Sequence, residues 1–260
     1  MTLLLLKLTI TPAVIAFATL VARRFGPAFG GWLIGLPFTN GPVALFLTLE
    51  HGPSFTAHVA RGFIAGISGE VAFVLVYVAI VRSGRGWPPA LAAGSAAYLA
   101  VGAALAAASV SVPLLLACAL AGLLLGLRLV PAGGTAGCPP GRWELPVRMA
   151  LATTLVVSVT AFASAIGPGL SGVATTFPLM SSLLAVCVHR ANGPAAAIAV
   201  YRGLIAGLFA LMGFATTLIL VLTRIPLGLA FALAVALTLS IQLGSLQVVR
   251  RGSVEAAAAR

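Results

Sequence analysis

Apolar runs of about 20 residues, the length that carries a helix across a hydrocarbon core of roughly 30 Å, fill most of this chain. Nine can be drawn: 2–22, 29–49, 55–81, 88–108, 112–130, 146–165, 171–189, 195–222 and 226–249. Short turns separate them, carrying Arg23-Arg24, Gly52-Pro53, Arg82 to Pro89 and Arg224-Ile225-Pro226. The pattern predicts an all-α polytopic membrane protein of nine transmembrane helices. One longer polar segment, Pro131 to Pro146, is rich in Gly and Pro and divides the chain near its middle. The predicted organisation is a five-helix unit over 1–130, a cytoplasmic linker over 131–145, a four-helix unit over 146–250 and a loose tail over 251–260.

Composition strengthens that picture. Hydrophobic residues make up 61% of the chain and charged ones 7%, more apolar surface than a soluble domain of this size can enclose. The first apolar run has no small-residue cleavage site before the next begins, so it reads as a retained helix rather than a signal peptide. The net charge of +11 is explained by topology. With nine spans, twelve cations fall on one side: Arg23, Arg24, Arg82, Arg85, Arg128, Arg142, Arg148, Arg190, Arg202, Arg250, Arg251 and Arg260. Only Lys7, Arg61 and Arg224 fall on the other. The positive-inside rule then puts the N-terminus outside and the C-terminus in the cytoplasm. The bilayer, with its anionic headgroups, is the partner this charge implies, not nucleic acid. Cys118, Cys138 and Cys187 are scattered, with no metal-type spacing and no readable disulfide framework.

Compared with itself at a shift of 141 residues, the chain matches at 13 of 41 ungapped positions. Gly26-Pro27 falls on Gly167-Pro168, Gly31 on Gly172, Pro37 on Pro178 and Gly52-Pro53 on Gly193-Pro194. Arg61-Gly62 falls on Arg202-Gly203, and Ile64-Ala65-Gly66 on Ile205-Ala206-Gly207, with Ala44/Ala185 and Val59/Val200 between. The matches concentrate in Gly, Pro and Arg, which set backbone shape and charge rather than fill space. Five spans separate the copies. An odd number forces the second copy to enter the membrane from the opposite face, so the repeat is inverted, as in many secondary transporters. The fifth span has no counterpart and serves as the connecting helix.

The second and seventh spans superimpose under this shift. Pro37 and Pro42 flank Thr39-Asn40-Gly41, while Pro178 follows Thr175-Thr176-Phe177 and precedes Ser181-Ser182. Proline removes a backbone donor and breaks a helix. Freed backbone and hydroxyl groups at membrane depth are tolerated where they are buried in protein or line a cavity. Paired interruptions of this kind point to a binding site made of Thr39, Asn40, Gly41, Thr175, Thr176, Ser181 and Ser182. Kinks used only for packing are the plainer alternative.

Glu70 lies well inside the third span, on a helix face with Gly66, Phe73 and Tyr77. An ionisable group at that depth is costly and marks function by default; proton coupling is the role expected, buried hydrogen bonding the alternative. Arg61 and Arg202 pair under the repeat, as gates that attract anions or as caps on helix carbonyls and snorkelling cations. Glu50, His51 and His58 lack a fourth ligand in the pattern, so no metal and no cofactor is expected. His189 and Arg190 mark a span end, and Thr238, Gln242 and Ser245 form a polar stripe suited to helix–helix hydrogen bonds.

With no Asp, four Glu and three His, the chain lacks the dense polar constellation that an intramembrane enzyme needs. A channel requires a polar path across the whole bilayer, and the polar residues here gather at mid-depth. A secondary transporter or exporter of a small or amphipathic solute fits best, with a channel, a lipid-linked flippase and a structural envelope partner as alternatives. The segment Gly172-Val173-Ala174-Thr175-Thr176-Phe177-Pro178, and more loosely Gly31 to Pro37, resembles the Gly-x4-Phe-Pro segment of GlpM-like small bacterial membrane proteins, which are about half as long. That resemblance implies a bacterial inner membrane and a link to envelope polysaccharide export, and brings no catalytic residues. Substrate, direction and oligomeric state, a homodimer among the options, stay open.

Overall fold

A computed structural model of the chain describes residues 2–25, 37–108, 110–131 and 144–258. Its helices are α1 (Thr2–Phe25), α2 (Asn40–Arg82), α3 (Trp87–Ala107), α4 (Val112–Leu129), α5 (Glu144–Ile166), α6 (Pro168–Thr176), α7 (Leu179–Asn192), α8 (Pro194–Val221) and α9 (Leu227–Ala258). No strand occurs among the described residues. Proline stands at the first or second position of α3, α4, α6 and α8, where a missing N–H breaks no intrahelical bond and φ is already helical.

Seven helical stretches among the described residues are long and apolar enough to cross a membrane: Asn40–Arg82, Trp87–Ala107, Val112–Leu129, Leu145–Ile166, Pro168–Asn192, Pro194–Val221 and Leu227–Gly244. The protein is therefore a multi-pass membrane protein. The difference from nine has local causes. Helix α2 runs on past Gly52, joining the later part of the second expected span to the third. The apolar stretch found in α1 is the shorter Leu3–Phe17. The first part of the second span, with Gly31, lies outside the described residues, as do Cys138 and most of the expected linker. The last helix runs on to Ala258, across most of the expected tail.

Helix α2 is two helical segments joined at Gly52, whose φ of 85° and ψ of 169° interrupt the helix. Gly193 takes φ 84° and ψ 179° between α7 and α8. An L-residue with a side chain rarely adopts that conformation, so both Gly-Pro turns require glycine. The two junctions stand 141 residues apart, the spacing of the sequence matches.

The helices α2, α6–α7 and α8 form the enclosed centre, while α3, α4, α5 and α9 turn much of their surface outward. Phe46, Phe63, Phe73, Tyr77, Tyr98, Tyr201 and Phe214 are completely buried in that centre. Outward lie large apolar side chains such as Leu114, Leu124, Phe162, Leu229 and Leu243. Water would penalise such a surface; lipid does not.

Helix α4 is held at both ends by Arg61 and Arg202, which match at the 141-residue shift. Arg61 Nη2 donates to the Val110 carbonyl, just before α4, at 2.7 Å. Arg202 Nη1 donates to the Leu127 carbonyl near its far end at 2.7 Å, and also to the Val130 carbonyl. Along its length α4 packs Gly122 on Val71 of α2 and Gly126 on Ile205 of α8. The helix without a counterpart thus bridges the two that match each other.

Lys7 of α1 makes a 2.6 Å ion pair with Glu50 of α2 and lies 5.9 Å from the centroid of Phe46. The Lys7 side chain is 8% exposed and that of Glu50 23%, so breaking the pair strands one charge in a poorly solvated place. Lys7→Met should destabilise the protein by about 1–3 kcal/mol, and the Lys7→Met/Glu50→Gln double variant by clearly less. Thermal unfolding of the four chains in one lipid mixture measures this; a double variant whose loss equals the sum of the two single losses would show that the pair contributes no coupling energy.

Candidate functional site

Two non-helical stretches among the described residues, 37–39 before α2 and 177–178 between α6 and α7, face one cavity. Residues 37–39 are not helical, and α2 begins at Asn40 with Thr39 as its cap residue. Pro42, expected to break a helix, stands in the first turn of α2, where the first N–H groups have no intrahelical partner to lose. On the other side α6 ends at Thr176, Phe177 and Pro178 leave the helical region, and α7 starts at Leu179. That interruption lies where the sequence placed it.

The cavity has a volume of about 50 Å³. Its polar lining is Thr39, Asn40, Glu70, Thr175, Thr176 and Ser181. Leu155 of α5 and Leu204, Leu208 and Leu211 of α8 supply apolar wall. Six of the expected residues therefore meet at one place, from three separate stretches of chain. Two do not. Gly41 sits one residue into α2, and Ser182 points away, buried beside Tyr201 without a hydrogen bond of ordinary geometry between their hydroxyls.

Close backbone packing positions this lining. Helix α6 crosses α2 where Gly62 faces Gly169 and Gly172, with no room for a side chain on either helix. One turn further along α2, Gly66 faces Thr176, and Gly69 receives the Tyr98 ring of α3. The small-residue row Gly62, Gly66 and Gly69 lets α6 and α3 approach α2 closely, as in other membrane helix pairs. Glu70 follows that row directly and so emerges beside the end of α6.

The polar groups at the break are sorted by what they already hold. Thr175 Oγ1 donates to the Ser171 carbonyl at 2.7 Å, and Ser181 Oγ to the Pro178 carbonyl at 3.1 Å. Thr176 Oγ1 lies 3.0 Å from the Val173 carbonyl and 2.8 Å from the Tyr98 hydroxyl, which also donates to Val173. Asn40 Oδ1 and Glu70 Oε2 are buried with no hydrogen-bond partner in the protein. Buried polar atoms without partners are uncommon, and each calls for a reason.

Beyond Glu70 along α2 lies an aromatic layer. Phe73, Tyr77 and Tyr201 pack together, with Tyr77 and Tyr201 ring centroids 4.7 Å apart. The Tyr77 hydroxyl bonds His189 Nδ1 at 2.9 Å. All three tyrosines of the chain are thus completely buried around the site. Tyr98 and Tyr201 escaped the sequence reading, although a signal exists: tyrosines in membrane proteins concentrate at the headgroup belts, and these lie mid-helix.

Arg61 and Arg202 do not line the cavity; both are seated on the carbonyls around α4. Glu50, His51 and His58 separate as well. Glu50 pairs with Lys7, His51 packs on Phe55 with centroids 4.7 Å apart, and His58 Nδ1 lies 2.9 Å from the Ser54 carbonyl. No group of three His, Cys, Asp or Glu that could hold a metal occurs among the described residues. Thr238, of the stripe on α9, donates to the Ala234 carbonyl of its own helix at 2.6 Å.

No protein-family model matches this chain, and no curated protein or solved structure matches it. The class is defined by the fold itself: a multi-pass helical membrane protein with a polar cavity where α2 begins and α6 gives way to α7.

Proposed function

We propose that the protein is a secondary transporter of a bacterial inner membrane, working by alternating access at the cavity between its two helix interruptions. The observation that carries this reading is the convergence of Thr39, Asn40, Glu70, Thr175, Thr176 and Ser181 on one buried cavity. Packing kinks alone would leave no reason for unpartnered Asn40 and Glu70 oxygens there.

The fold proposed for it has nine spans: α1, the second span ending in the first segment of α2, the second segment of α2, α3, α4, α5, α6–α7, α8 and α9. An inverted repeat relates those before α4 to those after it. The paired junctions at Gly52 and Gly193 and the paired roles of Arg61 and Arg202 support the duplication. The cation bias places the N-terminus outside and the C-terminus in the cytoplasm, so the aromatic layer of Phe73, Tyr77 and Tyr201 closes the cytoplasmic side and the Gly62–Gly172 crossing the outer side. Glu70 carries the coupling proton. A site of about 50 Å³ favours a small solute over a lipid-linked one, and a central cavity flanked by tight packing favours a transporter over a channel.

The test is a proton-flux assay. Purified protein is reconstituted in liposomes loaded with a pH-reporting dye, and gradients of candidate ions and small solutes are imposed. The expected result is a gradient-driven pH change that is saturable and lost in Glu70→Gln. Flux that persists in Glu70→Gln with the same pH dependence would remove Glu70 from coupling.

A further inference from the structure

Against its apolar wall, the polar atoms that the described lining presents are mostly oxygens. Each hydroxyl of Thr175 and Ser181 has its proton on a backbone carbonyl, and the Thr176 and Tyr98 hydroxyls share theirs between each other and Val173. A hydroxyl that has donated its one proton offers only lone pairs to a ligand. Asn40 and Glu70, 7% and 4% exposed, add Oδ1 and Oε2, both without a partner. Among the described residues, no Lys, Arg or His lines the cavity.

The backbone offers both signs, and part of its positive side is already used. Helix α6 ends at the cavity, so the negative end of its dipole is there. The N-termini of α2 and α7 also open at it, and an anion would need their N–H groups. Those of Gly41 and Val43 are already bonded to the Pro37 and Thr39 carbonyls, and those of Leu179 and Ser182 to Phe177 and Pro178.

We infer that this cavity binds a small monovalent cation, with sodium as its type, through the Glu70 carboxylate, Asn40 Oδ1 and the hydroxyl oxygens of Thr175, Thr176 and Ser181. One carboxylate balances one positive charge, whereas calcium sites gather several carboxylates and magnesium keeps a shell of waters that needs more room. Transition metals call for imidazole or thiolate ligands, which the lining lacks. The volume admits an ion with a water or two and not an organic solute of any length.

Cation and proton then exclude each other. Glu70 gives its proton to water as the cation arrives and takes one back as it leaves; no other bond is made or broken. Among the described residues, Glu70 is the one titratable side chain in the lining. The elements packed around it present Leu155 from α5, Met180 from α7 and Leu204, Leu208 and Leu211 from α8, with the Tyr98 hydroxyl of α3 beside it on Val173 and Thr176. The inference rests on the cavity being the transport site, and names its coupling ion.

The experiment uses the full chain in lipid nanodiscs. Its unfolding temperature is followed against NaCl, LiCl, KCl and choline chloride at constant ionic strength. Sodium should stabilise saturably where potassium and choline do not, and the half-saturating sodium concentration should rise as the pH falls. Asn40→Ala should weaken the sodium effect about tenfold and Glu70→Gln should abolish it. Equal responses to all the cations, or a response that follows the anion in a chloride-to-gluconate exchange, would overturn the inference; the wild-type comparison decides this even if a variant fails to fold. Sodium-specific stabilisation without flux of any solute in liposomes would sink the transporter reading and keep the ion site. Flux without sodium-specific stabilisation would do the reverse.

Discussion

Replacing Gly62 or Gly172 with alanine is expected to cost more stability than any other single-methyl addition in the described helices. A Cβ on Gly62 would lie 2.8 Å from Gly172 Cα and 3.1 Å from the Gly169 carbonyl carbon; one on Gly172 would lie 2.6 Å from Gly62 Cα and 2.7 Å from its carbonyl carbon. Every one of these neighbours is backbone, so no rotamer change relieves the clash. Helix α6 has to move off α2, and it takes Thr175, Thr176 and the Tyr98 hydrogen bonds with it. Overpacking of this kind costs about 1–3 kcal/mol where side chains can adjust, and more where they cannot. A loss of about 3–5 kcal/mol is expected against a total stability of about 5–15 kcal/mol. Gly244→Ala, where nothing lies within 4 Å of the added atom, is the control and should be neutral or slightly stabilising. Thermal unfolding and the yield of monodisperse protein report both; wild-type behaviour of Gly62→Ala would show that α6 is not seated on α2 in this way.

The second large effect is expected at Arg202. Arg202→Met keeps the length of the stem and removes the donors that hold the Leu127 and Val130 carbonyls. Val130 is completely buried, so its carbonyl has no water to turn to. Leaving such acceptors unpaired costs about 1–3 kcal/mol each, for a loss of roughly 2–5 kcal/mol. Arg61→Met frees only the Val110 carbonyl and should cost about half as much. Arg202→Lys, with a point charge in place of a fork, should fall between. If Arg202→Met unfolds like wild type, the arginine is not what secures α4.

How much of this was readable follows from which residues carry it. The membrane class and most helix boundaries were legible because apolar run length is a one-dimensional property. The Gly52 and Gly193 turns were legible because only glycine tolerates their φ, so the duplicated Gly-Pro pairs show through the divergence of everything around them. Five cavity residues were legible because proline marks an interruption and polar groups beside it must be satisfied, and Glu70 because a charge inside an apolar span is costly. Pro42 misled: the same residue that breaks a helix also starts one, and only the position of the helix end tells which. Arg61 and Arg202 read either as gates or as caps on helix carbonyls, because a sequence lists charges without their acceptors; Val110, Leu127 and Val130 offer backbone oxygens that no residue identity reveals. The Lys7–Glu50 pair and the place of Tyr98 were hidden for the same reason, since each joins helices far apart in the chain.

On the proposed mechanism, Asn40 and Ser181 line one site reached in turn from the two faces of the membrane, and thiol accessibility tests this most directly. Single cysteines at each position, in a chain whose exposed thiol Cys118 is replaced by alanine, are labelled with a membrane-impermeant reagent from each side, and the labelling of the parent chain is subtracted. Both positions should label from both sides, in a ratio that shifts with a pH or sodium gradient. Labelling from neither side, under any gradient, would mean that the interrupted helices are packed core and that the protein is not a transporter of this kind.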